Sequence, residues 1–296
     1  MHSLLTLNEL DSDSIMELIK LGIKIKKDPN SFADTLQGKT LAMIFEKPST
    51  RTRISFEAGM FQLGGHALIL SSDQMQMSRG ESIEDTAKTL SGYVDCVMAR
   101  VYDHNILNIL SANSTVPVIN GLSNSFHPCQ ILANIMTIYE IKGKLDGLKL
   151  AWIGDGNNVC NSLIYGCVKS NVNIAVATPP DFKPNQNVIN DAKKLGSITL
   201  TDDPSLAITD ADVVMTDTFT SIHDDADKLS KFLPTFQIND NLFKLSKSDS
   251  IFLHCLPAKR DQEVTSSVID GPQSVIWQEA ENRLHAQKAL LVSILT

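Results

Sequence analysis

Short apolar runs alternate with stretches of helical spacing along nearly the whole chain, and this alternation constrains the fold more than any other feature. Leu41–Phe45, Ala67–Leu70, Val94–Ala99 and Val116–Asn120 read as strands in the first half. Helices are expected near Ser14–Lys26, Ile54–Leu63, Ser82–Ser91, Asn105–Ala112 and Cys129–Ile141. The second half continues with a strand at Leu148–Ile153, a helix from about Asn158 to Ser170, and strands at Val172–Thr178, Val213–Thr216 and Ile251–His254. Such alternation is the mark of α/β folds. A chain of 296 residues, 43% of them hydrophobic, is long for one core and comfortable for two. The expected architecture is α/β with two domains, each a mainly parallel sheet flanked by helices. The Gly-rich, charged segment Lys142–Gly147 marks the break, giving a first domain of residues 1–141 and a second of 142–279. Beyond it, Leu284, Leu291 and Leu295 recur at helical spacing, so a C-terminal helix over 280–296 is expected to return to the first domain and bury its stripe there.

The formal charge of −8 argues against nucleic acid as a general partner. No apolar run reaches the length of a membrane span, and the N-terminus lacks a basic region followed by an apolar core, so a cytoplasmic protein is expected. Cys96, Cys129, Cys160, Cys167 and Cys255 form no CxxC pair and no metal spacing with His, which fits reduced thiols. Neither a metal nor a cofactor is expected.

Against this acidic background, Glu46-Lys47-Pro48-Ser49-Thr50-Arg51-Thr52-Arg53 stands out. It lies where a strand ends and a helix begins. A helix start offers unpaired N–H groups and a positive dipole end, which suit a phosphate. Three hydroxyls and two guanidinium groups in five residues add donors, and an Arg grips phosphate through two bonds. One hydroxyl suffices for capping, so the segment reads as a site for a phosphorylated small molecule. The Gly-rich loop of a nucleotide P-loop is absent.

The other polar motifs also follow strand ends. Arg100 closes Asp-Cys-Val-Met-Ala-Arg, as a rim residue or a ligand clamp. His127-Pro128-Cys129-Gln130 opens a helix, with Pro128 suited to its first turn. His127 reads either as structural or as a donor that polarises a carbonyl, and Gln130, one turn along, as an acceptor for an amide. Gly154-Asp155-Gly156-Asn157-Asn158 resembles half of a dinucleotide fingerprint. Its third Gly is replaced by Val159, and the next strand ends Ala177-Thr178-Pro179-Pro180 without an acidic residue, so nicotinamide binding is not expected. Asn158 at that helix start suits a carboxylate instead. Asp217 and Ser221 suit an ammonium group, or Asp217 is a loop cap. In His254-Cys255-Leu256-Pro257, neighbouring strand residues face opposite ways, so His254 is badly placed as a base for Cys255. Cys255 reads better as a hydrogen-bonding or charged group than as a nucleophile. In open parallel sheets ligands sit outside the carboxyl ends of strands, and two facing sheets would gather these motifs into one cleft.

Taken together, Ser49–Arg53, Ala99-Arg100-Val101-Tyr102, His127–Gln130, Trp152–Asn158, His254–Pro257 and Glu279-Ala280-Glu281-Asn282-Arg283 resemble the ornithine carbamoyltransferases in order and spacing, from about residue 4 to the end. The resemblance implies transfer of a carbamoyl group from carbamoyl phosphate to L-ornithine, within arginine biosynthesis, by a homotrimer of two-domain α/β chains. It implies that Ser49, Thr50, Arg51, Thr52, Arg100, His127, Pro128, Cys129, Gln130, Cys255, Leu256 and Arg283 hold carbamoyl phosphate. Gln76 falls where the family reaches into a neighbouring subunit's site. Asn158, Asp217, Ser221 and Ile222 would hold ornithine, and Arg100, His127, Cys255 and Asp217 would carry the catalysis. The chain departs from the family at Ser221-Ile222-His223, commonly Ser-Met-Gly, and at Phe219, commonly Trp. His in place of Gly restricts that loop, which bears on the choice among ornithine, N-acetylornithine and putrescine as acceptor.

Overall fold

The structure, a computed structural model, describes residues 3–220 and 226–296. The chain divides into two compact units, Met1–Met136 with Asn282–Thr296, and Thr137–Glu281.

The first unit holds a four-stranded sheet of β1 (Thr40–Phe45), β2 (His66–Ser71), β3 (Cys96–Arg100) and β4 (Val118–Leu122), in the order β2-β1-β3-β4 and parallel throughout. The central strands β1 and β3 are apolar at nearly every position, because both faces of such a sheet are covered. The covering helices are α1 (Ser12–Lys27), α2 (Thr50–Gln62), α3 (Ile83–Ser91), α4 (His104–Asn113) and the first part of α5 (Pro128–Lys142). In α1, Asp11 caps the Ser14 N–H at 2.8 Å, and Ile15, Leu18, Ile19, Gly22 and Ile25 form the buried stripe. Pro128 does open α5, as its fixed φ favours.

In α2 the apolar residues Ile54, Ala58 and Phe61 recur at helical spacing but do not form the inner face. The buried residues are Thr52, Phe56, Gly59 and Met60, whereas Ile54 and Phe61 are 57% and 81% exposed. Gly59 turns inward because Lys288 lies against it; a Cβ there would come within 3.3 Å of the Lys288 Cγ.

The second unit holds a five-stranded sheet of β5 (Lys149–Ile153), β6 (Asn173–Ala177), β7 (Ile198–Thr201), β8 (Val213–Thr216) and β9 (Ile251–His254), in the order β7-β6-β5-β8-β9 and again parallel. Its helices are α6 (Asn158–Lys169), α7 (Gln186–Leu195), α8 (Pro204–Ile208), α9 (Asp240–Phe243) and α10 (Ser266–Ile269). Every residue of α6 from Val159 to Val168 is buried, the polar Asn161 and Ser162 included. The last helix, α11 (Ile276–Leu295), supplies its C-terminal part to the first unit. There Lys26 Nζ donates to Asn282 Oδ1 at 2.8 Å, and Lys288 Nζ to Gln62 Oε1 at 3.0 Å. No helix among the described residues is long and apolar enough to cross a membrane.

In each sheet the strand order reverses direction once, between β1 and β3 in the first and between β5 and β8 in the second. The segments that leave those four carboxyl ends carry Ser49–Arg53, Arg100, Asn157–Asn158 and Asp217. These are the crevices where open parallel sheets take ligands.

Candidate functional site

In the first unit the turn after β1 leads into α2 at Ser49, whose hydroxyl accepts the Thr52 N–H at 3.2 Å. Ser49 is therefore a cap, and its own O–H proton remains a donor. Thr50 and Arg51 stand at the helix start, Arg51 exposed, while Thr52 is buried. The Thr52 hydroxyl oxygen accepts from Arg100 Nη1 and from Arg283 Nη2, each at 3.4 Å. Arg283 Nη1 also donates to Gln130 Oε1 at 2.6 Å, and Gln130 Nε2 donates to Asn134 Oδ1 at 2.9 Å. The Arg283 side chain comes from α11, which is why the returning helix matters to the site.

His127 is buried beside this set. Burial first, then the charges of Arg283, Arg100 and Arg51, hold its pKa well below the usual imidazole value. The ring is thus neutral at pH 7, with one nitrogen a donor and the other an acceptor. Three guanidinium groups around one neutral ring form a strongly positive pocket in an acidic protein. Gathering like charges away from water is unfavourable unless an anion joins them, so the arrangement is built for an anion with a polar carbonyl beside it.

Cys129 belongs to the frame rather than to the pocket surface. It is fully buried, its Sγ lies 3.4 Å from the Asn120 carbonyl oxygen, and burial pushes its thiol up to about 12. Gln76 lies apart in an exposed 3-10 turn, Gln76–Arg79, after β2. Lys47, within the singled-out segment 46–53 but given no role there, adds a further cation. Its ammonium stands 4.1 Å over the Tyr102 ring, and burial and the charge of Arg100 lower its pKa. A lysine two residues past a strand end, beside an Arg-rich turn, was the available signal.

In the second unit Asp217 follows β8 and Cys255 follows β9. The Cys255 thiol donates to Asp217 Oδ1 at 3.0 Å, and Asn157 Nδ2 donates to Asp217 Oδ2 at 2.9 Å. Asn157, rather than its neighbour Asn158, is the residue that reaches Asp217. Its other amide atom caps α6 by accepting from the Val159 and Cys160 N–H groups. Asn158 stands half-buried as the first residue of α6. Ser221 and Ile222 lie outside the described residues.

His254 is fully engaged elsewhere. Its Nδ1 accepts the Leu256 N–H at 2.9 Å, and its Nε2 lies 3.1 Å from Glu263 Oε1, a pair wholly out of solvent. The ring thereby fixes the backbone around Cys255, where Leu256 takes a φ of +57°, a conformation costly for a branched side chain. Donor atoms of Asp217, His254 and Cys255 lie within 4.8 Å of one another, a spacing a cation accepts. In this structure both ring nitrogens and both carboxylate oxygens are already hydrogen-bonded.

The Gly154–Asn158 turn also has a local cause. A Cβ on Gly156 would come within 2.2 Å of the Pro184 nitrogen, so this glycine admits the chain's own 182–184 segment where a dinucleotide fingerprint admits pyrophosphate.

Comparison with known proteins agrees with this arrangement. Residues 2–140 match the family model of the aspartate/ornithine carbamoyltransferase carbamoyl-P binding domain, and residues 146–294 match that of the Asp/Orn binding domain. An ornithine carbamoyltransferase of Cenarchaeum symbiosum is 56% identical, over 98% of this chain and 97% of its own. One from Anoxybacillus flavithermus is 52% identical, over 98% and 96%. The solved structure of the Pyrococcus furiosus ornithine carbamoyltransferase superposes with a TM-score of 0.94 at 47% identity, covering 99% of this chain and 97% of that one. The chain belongs to the aspartate/ornithine carbamoyltransferase family.

Proposed function

We propose that this chain transfers the carbamoyl group of carbamoyl phosphate to the side-chain amine of L-ornithine, giving L-citrulline and phosphate. The observation that carries the reading is the convergence of Arg51, Arg100 and Arg283 on the neutral, buried His127, and of Arg100 and Arg283 on Thr52. Ser49, Thr50, Arg51 and the start of α2 take the phosphate. Arg100, Thr52 and His127 take the carbonyl oxygen, on which negative charge builds as the amine attacks. Gln130, held by Arg283, takes the carbamoyl NH₂; Pro128 and Cys129 shape the start of α5 behind it. Gln76 serves a neighbouring copy. A C–N bond forms, the C–O bond to phosphate breaks, and one proton leaves the amine.

The acceptor falls to the second unit. Asp217 takes its α-ammonium and Asn158 its carboxylate, while Cys255 and Leu256 offer a thiol and a carbonyl to carbamoyl phosphate. Ser221 and Ile222 complete this assignment. A free amine of lysine type has a pKa of roughly 10, so most of it arrives protonated. The departing phosphate, and Asp217 directly or through the Cys255 thiol that donates to it, are the groups able to take that proton. Every atom transferred comes from the two substrates, and the reading assigns no cofactor.

The test is a citrulline assay on the parent chain with carbamoyl phosphate and a panel of acceptors. Ornithine should saturate with the highest kcat/KM. Saturation by putrescine or N-acetylornithine without turnover of ornithine would replace the acceptor half of the reading.

We further infer a homotrimer acting in the cytoplasm. Ile54 and Phe61 on α2 and Leu68 on β2 are 57%, 81% and 41% exposed, and a groove of about 430 Å³ runs between α2 and β2 past Ile54, Ala58, Phe61 and Ala67. Large apolar side chains left this open along α2 and β2 support burial against another copy. Phe61→Arg should shift the chain from trimer to monomer in light scattering, with its far-UV spectrum unchanged. A parent that is itself monomeric would contradict the assignment.

A further inference from the structure

We propose that Lys228 is a positioning residue for the amino-acid acceptor, acting through Asp155; this rests on the acceptor reading above. Lys228 Nζ lies 2.7 Å from Asp155 Oδ2, with the two side chains only 17% and 15% exposed, and it stands 5.4 Å from the centre of the Phe182 ring. Asp155 sits in the turn between β5 and α6, two residues before Asn157. Its carbonyl accepts the Trp152 indole N–H at 3.0 Å, and the next residue's N–H, that of Gly156, donates to the Phe182 carbonyl at 2.8 Å. The backbone of the turn is therefore held without Lys228. What the ammonium adds is neutralisation of a half-buried carboxylate.

That neutralisation bears on Asn157, further along the same turn. Asn157 donates to Asp217, and Asp217 accepts from Cys255. Asp155 thus lies two residues before an amide donor that Asp217 accepts from. While Lys228 holds Asp155, the Asn157 amide N–H serves Asp217. Without the ammonium, Asp155 competes for the same amide, and its charge opposes the orientation of Asp217. A paired charge out of solvent adds little net stability, so its use here is better accounted for by orientation.

The 3-10 turn Ala226–Lys231 that carries Lys228 is itself anchored. It leads into Phe232, which stacks on Phe219 at 4.6 Å between ring centres and packs on Phe182 at 4.9 Å. Phe219 lies two residues past Asp217 and packs onto Gly154, where a Cβ would meet its ring at 3.0 Å. One aromatic column and one ion pair thereby join the turn before α6, the segment after β8 and the Lys228 turn. Lys228 fixes the polar end of this assembly, and the phenylalanines fix the apolar end.

The experiment compares KM values for both substrates in the parent chain, Lys228→Met, Lys228→Arg and the double variant Lys228→Met/Asp155→Asn, with melting temperatures alongside. Lys228→Met should raise the KM of the acceptor roughly 5- to 100-fold, the range set by leaving a buried polar group without its partner. The KM of carbamoyl phosphate should stay within about twofold, since Arg51, Thr52, Arg100, His127 and Arg283 lie on other elements. Lys228→Arg should keep the parent values, and the double variant should recover much of the loss because the competing charge is gone. An unchanged acceptor KM in Lys228→Met overturns the proposal, as does a parallel rise in both KM values with no recovery in the double variant. A parent chain inactive with every acceptor overturns the acceptor reading and this proposal together, whereas an active parent isolates the fate of the proposal.

Discussion

Arg51→Ala should lower kcat/KM for carbamoyl phosphate about 10²- to 10³-fold while the protein stays folded. Arg51 is exposed at the first turn of α2, so its removal opens no cavity in the core. Its charge nevertheless reaches the buried ring of His127 and helps keep it neutral. A hydrogen bond to a charged group contributes about 1.5–3 kcal/mol, which alone accounts for roughly ten- to a hundredfold in binding. The remainder arises because charge grows on the departing phosphate, so the contact strengthens in the transition state. Citrulline formation measured beside far-UV circular dichroism and a melting curve checks both halves of the prediction. Loss of turnover together with loss of structure would instead mark Arg51 as structural.

Asp217→Asn should raise the KM of ornithine on the order of a hundredfold and leave that of carbamoyl phosphate unchanged, since a charge-assisted contact is lost on one substrate only. Asp217 is nearly buried, and its two oxygens accept from Cys255, Thr218 and Asn157. The amide is close to isosteric, so the fold should survive, but it presents a donor where other donors already point. It also removes the negative charge that an α-ammonium meets. Steady-state kinetics with each substrate varied in turn separates the effects. Equal changes in both KM values would contradict a role confined to the acceptor.

Much of the fold was legible because most central strands are continuous apolar runs: Leu41–Phe45, Leu148–Ile153 and Ile251–His254 each fall within a residue or so of β1, β5 and β9. The edge strand β7, Ile-Thr-Leu-Thr, gives no such signal, because four partly or fully exposed residues carry no apolar run. The preceding helix α7 is polar on most of its surface and buries only Val188, Ile189 and Ala192. In α2 periodicity finds the helix, whose inner face is built from a threonine, a glycine, Phe56 and Met60 around the buried Lys288.

The candidate site was legible where chemistry is concentrated in sequence. Ser49–Arg53, Arg100, His127 and Gln130 announce themselves by residue type at strand and helix ends, Arg283, inside α11, is reached only through the family resemblance, and in the first unit Thr52, Arg100, Gln130 and Arg283 join one network. The supporting groups were not legible. Asn157, Glu263 and Lys228 act through partners 60, 9 and 73 residues away, and only folding brings those pairs together. The expectation that Cys255 has no base in His254 rests on strand geometry, and both ring nitrogens of His254 are committed to Leu256 and Glu263.

The central claim is that the cationic pocket at the start of α2 is where carbamoyl phosphate binds. Calorimetric titration of carbamoyl phosphate into the parent chain and into Arg51→Ala, without ornithine, tests it most directly. Saturable one-site binding by the parent, weakened roughly ten- to a hundredfold in the variant, is the predicted result. Equal affinity in the two proteins would contradict it.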